Sequence, residues 1–123
     1  MSDASQLTDF TVPRPLRQEE CDLIASLLVK AGSARPATMP IGAEVKDAQD
    51  GGMGSIRFVA PDPRRFGREL ASAEYQDSDG VLVSIALNAD DHGDLFELDF
   101  WKVDFSPLKR YPAPHEVVMT NGT

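Results

Sequence analysis

The longest alternation of apolar and polar positions in the chain runs over residues 95–105, Leu-Phe-Glu-Leu-Asp-Phe-Trp-Lys-Val-Asp-Phe. Phe96, Leu98 and Phe100 alternate with Glu97 and Asp99, the period of a strand with one face in a core and the other in water. At Phe100 and Trp101 two large apolar residues are adjacent, and from there Trp101, Val103 and Phe105 carry the apolar phase, with Lys102 and Asp104 opposite. A one-residue slip of this kind predicts a β-bulge at Phe100-Trp101, and a central strand that bends around whatever covers it.

That cover is predicted to be a helix over 16–31. Leu16, Leu23, Ile24, Leu27, Leu28 and Ala31 recur at helical spacing, which gathers them into one stripe. Glu19, Glu20 and Asp22 stand in the first turns, Lys30 in the last, and Gly32 where the chain leaves the helix, all as the helix dipole and C-terminal capping favour. The remaining apolar positions fall in short runs between Asp/Gly turns. A weak edge strand over 41–49, with Val45, passes through Asp50-Gly51-Gly52 into 53–60, where Ile56 and Phe58 alternate with Ser55 and Arg57. Further strands are predicted over 68–76 and 81–88, the latter with Val83, Ile85 and Leu87 inward, and Asp90-Asp91-His92-Gly93 turns into the long run. The fold class this predicts is α+β, one N-terminal amphipathic helix packed on a curved antiparallel meander of about five strands. Residues 1–13 read as a disordered lead-in, 14–112 as a single domain, and 113–123 as a flexible tail.

Composition narrows the function classes. A chain of 123 residues with 41% hydrophobic and 26% charged residues can bury one core without a metal or disulfide. Cys21 is the single cysteine, and the N-terminus lacks the basic and apolar regions of a signal peptide, so a cytoplasmic location is expected. No apolar run approaches the ~20 residues of a membrane span. The net charge of −8 argues against nucleic acid, whose phosphates are met by Lys and Arg, and suits a basic protein partner. The charge is uneven: Asp90, Asp91, Asp94, Glu97, Asp99 and Asp104 face one base, Lys102, while Arg57, Arg64, Arg65 and Arg68 cluster earlier. Cross-strand pairing of the two sets on a solvated face is one reading, and an acidic recognition surface is the other.

Four constellations invite chemistry. Gly51-Gly52-Met53-Gly54-Ser55 has the glycines of a phosphate loop but lacks the Lys and is followed by a strand, so a turn with a bulge accounts for it. Asn88, Asp90, His92, Gly93, Asp94 and Asp99 fall on a calcium-loop frame, yet the frame lacks the terminal Glu and its flanking helices, and no metal is expected. Glu97 and Asp99 lie two apart on one strand face, ~6.5 Å between Cα atoms, as an acid and base pair could. Cys21 has no local nucleophile motif with His92 or His115. No cofactor and no catalytic set is expected.

The Arg14-Pro15-Leu16 start with Glu19-Glu20, the segment 50–55, Arg65-Phe66-Gly67, Asp79-Gly80-Val81 and the run 95–108 ending in Ser106-Pro107-Leu108 together resemble a small bacterial domain family of unknown function, over about residues 14–112. The resemblance implies no activity, cofactor or catalytic residue. In general character, small, acidic and α+β, the chain is similar to immunity proteins that neutralise toxins. The expectation is a non-enzymatic protein-binding module, immunity-like, monomeric or homodimeric, that binds through Asp90, Asp91, Asp94, Glu97 and Asp99 with Trp101 or Tyr75 as anchor. The alternative is a small-ligand-binding domain or small enzyme with a pocket between helix and sheet near Glu97, Asp99 and Trp101.

Overall fold

The computed structural model describes residues 12–32, 43–60 and 63–120. The first eleven residues of the expected lead-in, the start of the expected strand over 41–49, and the last three residues lie outside them. Among the described residues there are one α-helix, α1 (Gln18–Lys30), and seven strands: β1 (Arg14–Pro15), β2 (Glu44–Asp47), β3 (Ile56–Phe58), β4 (Phe66–Gln76), β5 (Leu82–Asp90), β6 (Leu95–Lys102) and β7 (Val118–Met119). They form a single antiparallel sheet in the order β1-β2-β3-β6-β5-β4-β7. The α+β class holds, with seven strands rather than about five. β1 and β7 have two residues each, too few to display a period. The order also departs from a simple meander, since β3 pairs with β6 rather than with β4.

Helix α1 begins later than its apolar stripe suggests because Leu16 and the residues before it belong to the sheet: β1 pairs with β2, and the Leu16 N–H donates to the Ala43 carbonyl. The Glu20 carboxylate accepts the Arg17 N–H at 2.8 Å and so satisfies a donor the helix start leaves open. Glu20 is itself buried, held by Arg14, which also binds Asp47 of β2. Leu23, Ile24, Leu27 and Leu28 are buried against Ala71, Ala73, Tyr75, Ile85 and Leu87, and the small alanines of β4 let the helix lie close to the sheet.

Strand β6 is central, between β3 and β5, but it carries no bulge at Phe100-Trp101. Ile85 pairs with Phe100, Ser84 with Trp101 and Val83 with Lys102 in unbroken register. The alternation continues through the apparent slip: Phe96, Leu98, Phe100 and Lys102 are buried, and Trp101 is 50% exposed. The register shift lies at the other end of the strand, where Asn88 pairs with Glu97 and Ala89 with Leu95, so that Phe96 is the extra residue.

The reason is a set of partners for Lys102. Its ammonium donates to Asp77 at 2.8 Å, Asp79 at 2.7 Å and the Pro107 carbonyl at 3.0 Å, and a buried cation with three acceptors escapes the cost of an unpaired one. Burial alone opposes the charge on Lys102, yet the two carboxylates hold its pKa above the usual lysine value. Burial likewise works against the Asp77 carboxylate, but Lys102 and the N–H groups of Lys109 and Ser78 outweigh it, and Asp77 stays below its usual range. Asp77 also accepts the Arg110 N–H, so it ties residues 109–110 to the end of the sheet.

The expected flexible tail is ordered over 113–120. Lys30 donates to the Pro114 carbonyl, Val117 is buried, and β7 pairs with Ala73 and Glu74 of β4. These are contacts with distant segments, which composition does not register.

Candidate functional site

With α1 on one face, no second α-helix among the described residues lies on the other, where Ser84, Glu74 and Trp101 are exposed. Cross-strand register sets its side chains in rows. Glu74, Ser84 and Trp101 form one row, Ser72, Ala86 and Asp99 the next, and Glu69, Asn88 and Glu97 a third. The middle strand of the three, β5, contributes only Ser84, Ala86 and Asn88 to these rows. At the end nearest Trp101 lie exposed apolar side chains: Leu82, Val103, Phe105 and, beside Glu74 on β7, Val118.

Trp101 and Phe105 meet edge to face, with ring centroids 5.0 Å apart. Phe105 has a φ of 64°, a left-handed conformation rare for a bulky residue. It closes a turn in which its N–H donates to the Lys102 carbonyl at 2.9 Å. The same segment therefore buries Lys102 and displays Trp101 and Phe105.

Asp99 sits partly buried beside Trp101. Its Oδ1 accepts the Ser55 hydroxyl at 3.1 Å, and Ser55 Oγ also accepts the Phe100 N–H. Burial raises the Asp99 pKa, the neighbouring Glu97 and Asp50 carboxylates add to the rise, and the Ser55 hydroxyl offsets only part of it. Glu97 is better compensated, by Arg57 at 3.3 Å and by the Asn88 amide at 3.2 Å, and the Arg57 guanidinium lies 4.7 Å over the Phe96 ring. The cross-strand pairing anticipated between the arginine and acid segments is present for Arg57 with Glu97, whereas Arg64 reaches the buried Asp90 from the segment before β4.

Of the expected binding residues, Glu97, Asp99 and Trp101 share this open face, while Asp91 and Asp94 are exposed on the β5–β6 turn at one end of it. Asp90 is corrected: it is 2% exposed, accepts the His92 and Asp94 N–H groups, and pairs with Arg64. Burial pushes its carboxyl up, but those N–H groups and Arg64 prevail and hold it below the usual range. Tyr75 is also corrected as an anchor, since it is buried and its hydroxyl donates to the Arg110 carbonyl. A pocket between helix and sheet cannot include Glu97, Asp99 and Trp101, because they project from the sheet face opposite the helix.

The other constellations resolve locally. Asp50 accepts the N–H groups of Met53 and Ser55, so the glycine-rich segment directs those donors at its own carboxylate. Gly51 and Gly52 take φ values of 75° and 84°, as a tight turn requires. Among the described residues, no group of three or more His, Cys, Asp or Glu is placed to hold a metal ion, and no helix is long and apolar enough to cross a membrane. Cys21 is partly buried, and burial followed by Asp22 and Glu20 pushes its thiol pKa up, away from reactivity. Sequence reasoning missed Glu74 and Ser84, which only the register brings to Trp101. It set Phe105 in one apolar phase with Trp101 but within the strand, whereas β6 ends at Lys102 and Phe105 lies in the turn that follows.

A family model matches residues 13–112. The chain belongs to the DUF6984 family, a domain of unknown function. No curated protein and no solved structure matches it. In this DUF6984 domain the described sheet face away from α1 exposes Trp101, Leu82 and Val118 beside Glu74 and the partly buried Asp99.

Proposed function

We propose that this DUF6984 domain is a non-enzymatic protein-binding module, immunity-like in character, that meets a basic partner on the open face of its sheet. The observation that carries the reading is the exposed Trp101–Phe105 pair, with Phe105 at a φ of 64°. A left-handed backbone costs a residue with a side chain about 1–2 kcal/mol, and strain of this kind concentrates at functional positions. Tryptophan is over-represented among the residues that dominate binding energy, and Trp101 stands half exposed rather than in the core. Glu74 shares its row and Asp99 lies beside it, with Glu69 further along the same face and a net charge of −8 behind them, a field that favours a cationic surface.

Affinity capture with the full chain, followed by calorimetry on the partner recovered, tests this. Trp101→Ala is expected to weaken binding about 30-fold or more, and Glu74→Gln with Asp99→Asn to weaken it further at low salt than at high salt. Because Asp90 is structural, the turn charges are tested with Asp91→Asn and Asp94→Asn alone, which should slow association with little effect on dissociation. A partner whose affinity is indifferent to salt, to Trp101 and to the acid pair would refute the reading.

A further inference from the structure

We infer that the element received on this face is an amphipathic α-helix of the basic partner, lying along β5; this rests on the proposed function above. The three rows form a trough. Its floor is Ser84 and Ala86 of β5, closed at the far end by Asn88, which is buried and donates to Glu97; one wall is Glu74, Ser72 and Glu69 of β4, and the other is Trp101, Asp99 and Glu97 of β6. The walls stand two strand spacings apart, ~9.6 Å between strand axes, so a helix about 10–12 Å across with its side chains would rest over Ser84 and Ala86 with its flanks on the walls. Small floor residues let a helix come close, and larger ones would hold it off.

The backbone of β5 decides between helix and strand. It is paired along its length with β4 on one side and with β6 on the other, so the trough offers side chains and no free main-chain groups. An occupant must therefore satisfy its own backbone hydrogen bonds, as a helix does and a single extended segment does not. From Leu82 to Ala86 the floor runs ~13 Å by strand rise, the length of about nine helical residues. The chemistry of the occupant follows from the ends. Leu82, Trp101, Val103 and Val118 at one end are exposed and apolar, and call for an apolar stripe. Glu69, Glu74 and Asp99 along the walls call for Lys or Arg flanking that stripe, whereas Glu97 already has Arg57. A helix seated there would complete a three-layer arrangement, helix on sheet on helix.

Trp101 is the only tryptophan of the chain, so its fluorescence reports this face directly. The probes are synthetic peptides of about 14 residues made of Leu and Lys: one with the residues at helical period, one of identical composition at period two, and one at helical period with Glu in place of Lys. The full chain is titrated with each. The helical Leu/Lys peptide is expected to shift Trp101 emission to the blue, gain helical circular dichroism on binding, and bind about tenfold or more tightly than the period-two peptide. Ser84→Arg, which fills the floor at an exposed position, should weaken it about tenfold while Ser84→Ala leaves it unchanged, with urea melts confirming that both variants fold. Equal affinity for the period-two peptide, or indifference to Ser84→Arg, would overturn the helix inference and leave the basic-partner reading standing. Equal binding of the Glu peptide, or no binding of either Lys peptide, would overturn both.

Discussion

Replacing Phe105 separates backbone strain from side-chain contact, because alanine and glycine remove the same ring but respond oppositely to a positive φ. Phe105 is 62% exposed, so of the ~200 Å² a Phe can bury about 75 Å² is covered here, worth about 2–3 kcal/mol together with the edge-to-face contact to Trp101. Both variants forfeit this. Alanine keeps the left-handed backbone and its cost of about 1–2 kcal/mol, whereas glycine escapes it and instead loses about 0.5–1 kcal/mol through the greater freedom of its unfolded chain. Phe105→Gly should therefore be more stable than Phe105→Ala by about 0.5–1 kcal/mol. At an ordinary extended position the order is reversed by a similar amount, so the two cases differ by about 1–2 kcal/mol in total. Equilibrium urea unfolding of the wild type and both variants, fitted with a common slope, resolves that difference. If Phe105→Ala equals or exceeds Phe105→Gly in stability, the backbone at Phe105 is unstrained and the argument from display fails.

Four further outcomes follow from buried or close-packed groups. Lys102→Met should lower the urea midpoint by leaving Asp77 buried without its cation, and adding Asp77→Asn should recover part of the loss, since removing both charges is cheaper than removing one; additive losses would show the two are uncoupled. With Asp77 depressed from 3.8 and Lys102 raised from 10.5, the pair's stabilisation should be full between about pH 4 and pH 10, lost in acid as Asp77 protonates and lost in alkali as Lys102 deprotonates, which urea midpoints across pH will show. Asp99 has the opposite sign: its raised pKa means the ionised form destabilises the fold, so Asp99→Asn should stabilise at pH 7 with a gain that vanishes by about pH 3, and a gain independent of pH would contradict the assignment. Gly67 is exposed, yet a Cβ there would collide with the Asp90 carbonyl, so Gly67→Ala should cost about 2 kcal/mol or more rather than the ±0.5 usual for a surface change; a melt within that surface range would refute the close approach.

The helix and the long strands were legible in the sequence because their signals are local. The spacing of Leu23, Ile24, Leu27 and Leu28 and the alternation in β5 and in the first half of β6 depend on backbone geometry and on water, both present before any tertiary contact forms. Glu97, Asp99 and Trp101 could likewise be singled out by type and position. Which way Trp101 and Lys102 point could not. A pattern of residue types places the tryptophan inside and the lysine outside; the structure reverses both, because Asp77 and Asp79 arrive from the preceding turn and Pro107 from the following segment to satisfy a buried ammonium. Asp90 passed for a surface acid until Arg64 and the turn N–H groups closed around it. Ser84, Glu74 and Val118 became part of one face with Trp101 only through the pairing of β4, β5, β6 and β7. Sequence by itself determined where apolar surface is available to bury. Tertiary structure decided which charges could be buried with it, since a charge leaves water only where distant groups converge to replace the water it gives up.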